Sequence, residues 1–407
     1  MAKGRRALMS GAAAVAVGAA VLAGCSGPTV AAPPAPALPP SPGGPWAPVV
    51  DAASTRPVVT LMGRGIAADT AQRFGAQGAD LGHVFLHRGR LAMLFGDTYG
   101  DPPADPFFSV PHPDRRGSTL GWLDSPAAPS PTRRLADMVT DRPDHAKELL
   151  YSKHVVGDEE TVIPTAGIST GSRMWLHYMS VRQFEEAGHW TTNDSGMAHS
   201  DDDGQTWVRD PGAVWSGSSR FAQVAYAQPA GSDTVLVYGI PAGRSGPASL
   251  ARVPADRLGD RSAYRYRSAQ GWSKDERDAV DVVPGPVGEL SVGYNSYHGR
   301  WLMMYLVDPT HEIVLRSALS PKGPWSPPQV VATTRDFPEA YAPAITPVWN
   351  DGPDVVYTLS RYQDYGVDLM RTRLALQPEG LPTCSPPPAA WPAPWWLQRW
   401  WPACPRR

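Results

Sequence analysis

Three acidic positions could do chemistry in this chain. Asp97 follows an apolar run, Leu91-Ala92-Met93-Leu94-Phe95, and a single glycine, Gly96. Asp80 lies in Gly78-Ala79-Asp80-Leu81-Gly82, and Glu289 in Gly288-Glu289-Leu290-Ser291. Carboxyls gathered around one cleft suit glycoside hydrolysis. A protonated acid donates to the leaving oxygen, and an ionised group activates water or attacks carbon. A third group holds the first at the right pKa. A lone aspartate in a turn serves equally well as an Asx cap, so the elements that carry these residues decide between the two roles.

Those elements are strands. Between about residue 55 and residue 378 helical periodicity is almost absent, and short strand-like runs alternate with Gly, Pro, Asp and Asn clusters. One pattern recurs: small residues, a Gly-containing turn, then a strand rich in aromatic and branched residues. Its strand members are Leu91 to Phe95, Met174 to Tyr178, Val235 to Tyr238, Trp301 to Tyr305 and Val355 to Leu359. The five copies predict an all-β, five-bladed β-propeller with small residues on the innermost strands. Superposed, they place Asp80, Thr165, Gln223, Glu289 and Ala342 at equivalent innermost positions. Ser200-Asp201-Asp202-Asp203-Gly204-Gln205-Thr206-Trp207 has the SxDxGxTW form of an Asp-box hairpin, with Asp202 as a structural residue. Arg316-Ser317 with Gly323-Pro324-Trp325 reads as a second, degenerate hairpin. The stretch from 101 to 160 reads as a long insertion, a candidate rim loop.

The ends of the chain read differently. Residues 1–25 form a lipoprotein signal peptide: Lys3, Arg5 and Arg6, an apolar stretch, then Leu22-Ala23-Gly24-Cys25, with Cys25 as the lipidation site. Residues 26–50 form a Pro/Ala-rich tether. Residues 51–378 hold the propeller, and residues 379–407 a Pro/Trp-rich tail that a Cys384–Cys404 disulfide could close. The protein is therefore expected outside the cytoplasm, lipid-anchored to the cell membrane. The net charge of −2 with no basic run argues against nucleic acid as a partner. No zinc spacing, phosphate loop or nucleophile elbow is present, so no metal or cofactor is expected. A monomer is expected.

Several motifs in order carry a resemblance. Asp80-Leu81-Gly82 and Leu94-Phe95-Gly96-Asp97-Thr98-Tyr99-Gly100 are followed by Ile163-Pro164-Thr165-Ala166-Gly167 and Leu176 to Arg182. Trp190-Thr191-Thr192-Asn193, Gly288-Glu289-Leu290-Ser291 and Tyr341-Ala342-Pro343 complete the set. The chain resembles the bacterial family known as domain of unknown function 4185, also glycoside hydrolase family 183, over nearly all of residues 55–378. The resemblance implies a five-bladed propeller. It also implies endo-D-arabinanase activity on arabinogalactan or lipoarabinomannan, with arabinan polysaccharide of the envelope as partner.

The family's essential aspartates match Asp80 and Asp97, an acid and base pair in unassigned order. Glu289 is a candidate third carboxylate, as an acid, as a group that tunes the pKa of the pair, or as a channel-lining hydrogen-bond residue. The implied mechanism is inverting, with carboxylates roughly 6.5–9.5 Å apart. Tyr99, His177, Gln223, Tyr294, Asn295 and Tyr341 are expected to line the furanose subsites. Many relatives carry Arg-Ser-Asn after the first blade where this chain has Arg116-Gly117-Ser118, which makes Arg116 a candidate contact and favours the competing expectation, a non-catalytic arabinan-binding propeller.

Overall fold

A computed structural model of the chain describes residues 46–63, 69–100, 112–124, 127–186 and 188–378. Cys25, Cys384, Cys404, the signal peptide and the tail lie outside the described residues.

Five antiparallel sheets follow one another along the chain as the blades of a propeller, beside a two-stranded ribbon at 140–146. The inner and second strands of blade I are Gly78–His87 and Arg90–Tyr99. Those of blade II are Thr161–Thr170 and Arg173–Phe184. Those of blade III are Gln223–Ala227 and Thr234–Ile240. Blade IV has Leu290–Asn295 and Arg300–Val307, and blade V has Ala340–Ile345 and Asp354–Arg361. Each second strand is covered on both faces by neighbouring blades, so it reads as a nearly unbroken apolar run rather than an alternating one. Leu91, Ala92, Met93, Leu94 and Phe95 are all at 0 % exposure.

The core is divided into five apolar clusters, each centred on a seam between neighbouring blades. At the seam of blades I and II, Phe85, Leu94 and Leu120 meet Leu176, Tyr178 and Ala198. Gly167 makes that approach possible: a Cβ there would lie 2.6 Å from the Phe85 ring and 2.7 Å from Leu94.

The ring closes on a strand from the other end of the chain. Trp46–Met62 forms the outermost strand of blade V, antiparallel to Gly366–Pro378, with Trp46 opposite Pro378 and Met62 opposite Val367. The strand thus begins inside the segment expected to be tether. Met62 and Leu61 pack with Val84 and Met93 of blade I, so the closing strand also seals the last seam.

The Asp-box is the turn joining the outer two strands of blade II. Asp202 accepts from the Thr206 amide at 2.8 Å and from the Thr206 hydroxyl at 2.6 Å, and Trp207 Nε1 donates to the Gly204 carbonyl at 3.0 Å. Asp203 reaches across to His87 Nε2 at 2.9 Å and Arg88 Nη1 at 3.0 Å, tying blade II to blade I. The expected insertion is largely blade I itself: Thr119–Leu123 and Leu135–Met138 are its outer strands.

Candidate active site

Antiparallel pairing brings Asp80 and Asp97 together. Ala79 lies opposite Thr98 and Leu81 opposite Phe95, with a register shift between them. Asp80 therefore faces the Gly96-Asp97 step, because the start of one hairpin strand meets the end of the other. Gly96 gives the carboxyl its room, since a Cβ there would lie 2.3 Å from Asp80 Oδ1.

The same ends of all five blades surround a cavity of about 470 Å³, a volume suited to a small ligand or a few sugar rings. Blade I supplies Asp80, Asp97, Tyr99 and Arg115. Blades II to IV supply Thr165, Phe184, Trp190, Gln223, Arg244, Glu289 and Asp308, and blade V supplies Tyr341, Tyr362 and Tyr365.

The carboxyls differ in their partners. Asp97 forms a buried bidentate pair with Arg115: Nε donates to Oδ1 at 3.0 Å and Nη2 to Oδ2 at 2.6 Å. Thr161 also donates to Oδ1 at 2.5 Å. Two donors thus occupy one oxygen and one the other, a full set for an anion. Arg115 Nη1 continues to Glu160 at 3.4 Å, and Glu160 Oε2 accepts the Phe184 amide at 3.0 Å.

Glu289 has a different balance. Its Oε1 takes Arg244 Nε at 3.0 Å and Nη2 at 2.8 Å, while Oε2 is buried with no donor. Arg244 also reaches Asp308 at 3.2 Å. Both guanidiniums that enter the cavity are therefore engaged by two carboxylates each.

Among the described residues, Asp80 pairs with no cation. Tyr341 donates to its Oδ2 at 2.9 Å, and Oδ1 is buried without a partner. Burial, then the charges of Asp97 and Glu289, push its pKa up to about 8, against the smaller downward pull of the Tyr341 and Tyr365 hydroxyls. The site thus holds one carboxylic acid that is protonated at neutral pH beside carboxylates fixed by arginines. His83, also on the wall, is held down to about 4 by burial and is neutral there.

The structure sorts the expected contacts. Tyr99, Gln223 and Tyr341 line the cavity. Gln223 uses its amide on the Pro241 and Gly243 carbonyls at 3.2 and 2.9 Å, shaping the loop that carries Arg244. At the fifth innermost position it is Tyr341, not Ala342, that faces the cavity; Ala342 is fully buried in a register shift of blade V.

Four expectations are corrected. Arg116 points away: its guanidinium binds the Gly75 carbonyl at 2.7 Å and the Ala146 carbonyl at 3.3 Å. Arg115, opposite Tyr99 where Arg116 is opposite Thr98, takes the place in the cavity, because successive strand residues face opposite sides. His177 is sealed beside Trp215 between blades II and III, where burial lowers its pKa to about 3, and its Nδ1 meets the Thr165 hydroxyl at 2.7 Å. Tyr294 and Asn295 end the strand that Glu289 precedes. Six strand residues span about 20 Å, so they sit at the far end of blade IV. There Asn295 binds the Gly352 carbonyl at 3.1 Å and the His298 amide at 2.9 Å.

The residues that the sequence reading missed are Arg115, Thr161, Arg244 and Tyr365. Arg244 and Tyr365 lie on connections between strands, where no repeat aligns them. The two arginines could have been sought as counter-charges, since a carboxylate that stays ionised when buried requires one.

A five-bladed propeller with a carboxyl-rich cavity at one end of its axis is the class that fold and site define. The chain belongs to the family described as Domain of unknown function (DUF4185), which matches residues 67–371. It is similar to notoamide biosynthesis cluster protein J of Aspergillus sp. (strain MF297-2), 29 % identical over 309 residues, covering 69 % of this chain and 76 % of that protein. Protein J' of Aspergillus versicolor is 29 % identical over 280 residues, covering 63 % of this chain and 73 % of its own. Among solved structures, a putative hydrolase from Bacteroides ovatus ATCC 8483 shares the fold with a TM-score of 0.52 at 11 % identity, covering 74 % of this chain and 87 % of that one. A GH43_1 enzyme from Xanthomonas citri aligns with a TM-score of 0.43 at 14 % identity, over 79 % of this chain and 89 % of its own.

Proposed function

We propose that the protein is a glycoside hydrolase in which Asp80 is the proton donor. The observation that carries this is the contrast between Asp80, whose pKa is pushed up to about 8, and Asp97 and Glu289, each bound by an arginine. At neutral pH Asp80 gives its proton to the leaving glycosidic oxygen as the bond from that oxygen to the anomeric carbon breaks. A water molecule forms the new bond to that carbon and passes its proton to a carboxylate. Glu289 has the oxygen free for this, whereas Asp97 is a fixed negative charge that keeps Asp80 protonated. Tyr99, Trp190, Tyr341 and Tyr362 offer ring faces and edges to sugar rings.

The finer reading is an endo-D-arabinanase that cleaves D-arabinofuranosyl linkages in arabinogalactan or lipoarabinomannan with inversion. It rests on the resemblance of the motifs around Asp80 and Asp97. In the same reading the protein works outside the cytoplasm, held to the membrane by a lipid on Cys25. Exchange of Cys25 for serine should then release it from membranes.

The deciding experiment is incubation of the purified protein with D-arabinan, beside Asp80→Asn and Asp97→Asn. Release of oligo-arabinosides by the parent and by neither variant supports the reading. Binding of arabinan without release would replace it by the non-catalytic propeller, and release by both variants would move the chemistry to other residues.

A further inference from the structure

Tyr365 is held unusually firmly beside Asp80. It sits at the turn between the second and third strands of blade V with φ of 52°, a left-handed conformation uncommon for a bulky side chain. One contact of its own and the bonds of its turn hold it there. Its carbonyl accepts the Ala79 amide at 3.0 Å, one residue before Asp80. Gly78 permits this approach, since a Cβ there would lie 2.9 Å from that carbonyl oxygen. Arg361 clips the turn, donating to Asp364 at 3.0 and 2.8 Å and pairing with Asp368. The Tyr365 ring is 7 % exposed and meets Tyr99 edge to face at 5.3 Å.

Asp80 needs such a neighbour. Its Oδ2 is occupied by Tyr341, but Oδ1 has no partner. That is the condition of an oxygen whose proton is kept for substrate. Once the proton leaves, a second negative oxygen appears in a cavity that already holds Asp97 and Glu289, and a buried charge without donors is costly.

We propose that Tyr365 is a positioning residue for Asp80, its hydroxyl being the second donor that receives the Asp80 carboxylate after proton transfer. This rests on the reading of Asp80 as proton donor. The groups that act on Asp80 are the charges of Asp97 and Glu289 and the hydroxyls of Tyr341 and Tyr365. The same cavity is lined by the titratable side chains of His83, Tyr99, Arg115, Glu185, Glu186, His189, Arg244, Asp308, His311, Glu339 and Tyr362. Burial pushes the Tyr365 hydroxyl well above the usual phenol range, so it stays a donor at every working pH. Its effect on Asp80 is downward, as expected for a donor to the charged form.

The test is a carbon-13 NMR titration of the full chain labelled at the aspartate carboxyl, with the Asp80 signal assigned by its loss in Asp80→Asn. Tyr365→Phe keeps the ring and removes the donor. Its Asp80 midpoint should move upward, by about half a unit to one unit, and Tyr341→Phe should move it the same way. Tyr365→Leu, offered in case the phenylalanine variant does not fold, should also move it upward. An unchanged midpoint in the folded Tyr365 variant beside a shifted one in Tyr341→Phe overturns the proposal. Kinetics separate the two claims: the basic limb of kcat/KM should move with the NMR midpoint, kcat falling about tenfold and KM holding. A shifted midpoint in a protein that hydrolyses nothing would sink the proton-donor reading and leave Tyr365 only as a hydrogen-bond donor to the Asp80 carboxylate, with no part in a reaction.

Discussion

The Tyr341 hydroxyl donates to Asp80 Oδ2 at 2.9 Å, across the seam where the last blade meets the first. Asp80 is therefore held by a residue 261 positions away along the chain, and its environment exists only when the ring is closed.

Loss of the Asp80 carboxyl should stop glycan hydrolysis and stabilise the fold. Asp80→Asn is expected to lower kcat by about a thousandfold or more on glycan, and much less on an aryl glycoside whose leaving group needs no proton. The folded pKa is about 8 against an ordinary value of 3.8. The ionisable group therefore costs nothing below pH 3.8 and progressively more up to pH 8. Asn should raise stability at pH 8 by about 2–4 kcal/mol, with the gain vanishing near pH 4. Urea unfolding at both pH values checks this.

Asp97→Asn should do the opposite to stability. It leaves the Arg115 guanidinium buried with Glu160 alone, and breaking a buried pair costs about 3–5 kcal/mol. It also removes one of the charges that raise Asp80. The basic limb of any remaining kcat/KM profile should move below pH 8, so a limb that stays in place or rises would contradict the assigned role.

Glu289→Ala should lower the rate on glycan and on activated aryl glycoside alike, because a base acts on water whatever the leaving group. Azide should restore turnover by attacking in place of water, giving a glycosyl azide of inverted configuration. Product analysis by proton NMR decides this, and an unrescued variant with retained leaving-group dependence would return the base role to Asp97.

The two adjacent arginines should separate function from folding. Arg115→Lys loses the bidentate hold on Asp97 and should lower kcat by about a hundredfold. Arg116→Lys should leave kcat and KM unchanged and lower stability by about 1–3 kcal/mol, through its contacts with Gly75 and Ala146. Thermal unfolding and steady-state kinetics on both variants measure the split.

Removal of the closing strand should unfold the ring. A chain beginning at residue 63 leaves Gly366–Pro378 as a bare edge and exposes the Leu61 and Met62 contacts. Circular dichroism should show loss of the cooperative transition; a retained one would mean that the three remaining strands of blade V suffice at the seam.

What was legible in the sequence was whatever repeats. The apolar second strands announce themselves because neighbouring blades bury both their faces, and the innermost positions align because each precedes such a strand. Asp97 was singled out by the resemblance of its motif, whereas that alignment found Asp80, Gln223 and Glu289. It failed where one residue or one end decides. Arg115 and Arg116 are indistinguishable in type, and only the pairing opposite Tyr99 and Thr98 turns one into the cavity. Tyr294 and Asn295 belong to the same strand region as Glu289, but strand length carries them about 20 Å away.

The sequence by itself determined the number of blades and aligned Asp80 with Glu289 at innermost positions, because burial and strand pairing are written as local patterns. That Asp97 joins them at one mouth came from the pairing in the structure. The tertiary structure decided protonation and partnership. Asp80 is pushed up by burial and by the charges of Asp97 and Glu289, while Asp97 and Glu289 are held by Arg115 and Arg244 and Asp80 by Tyr341. Charge and burial act through space, and no spacing along the chain records them.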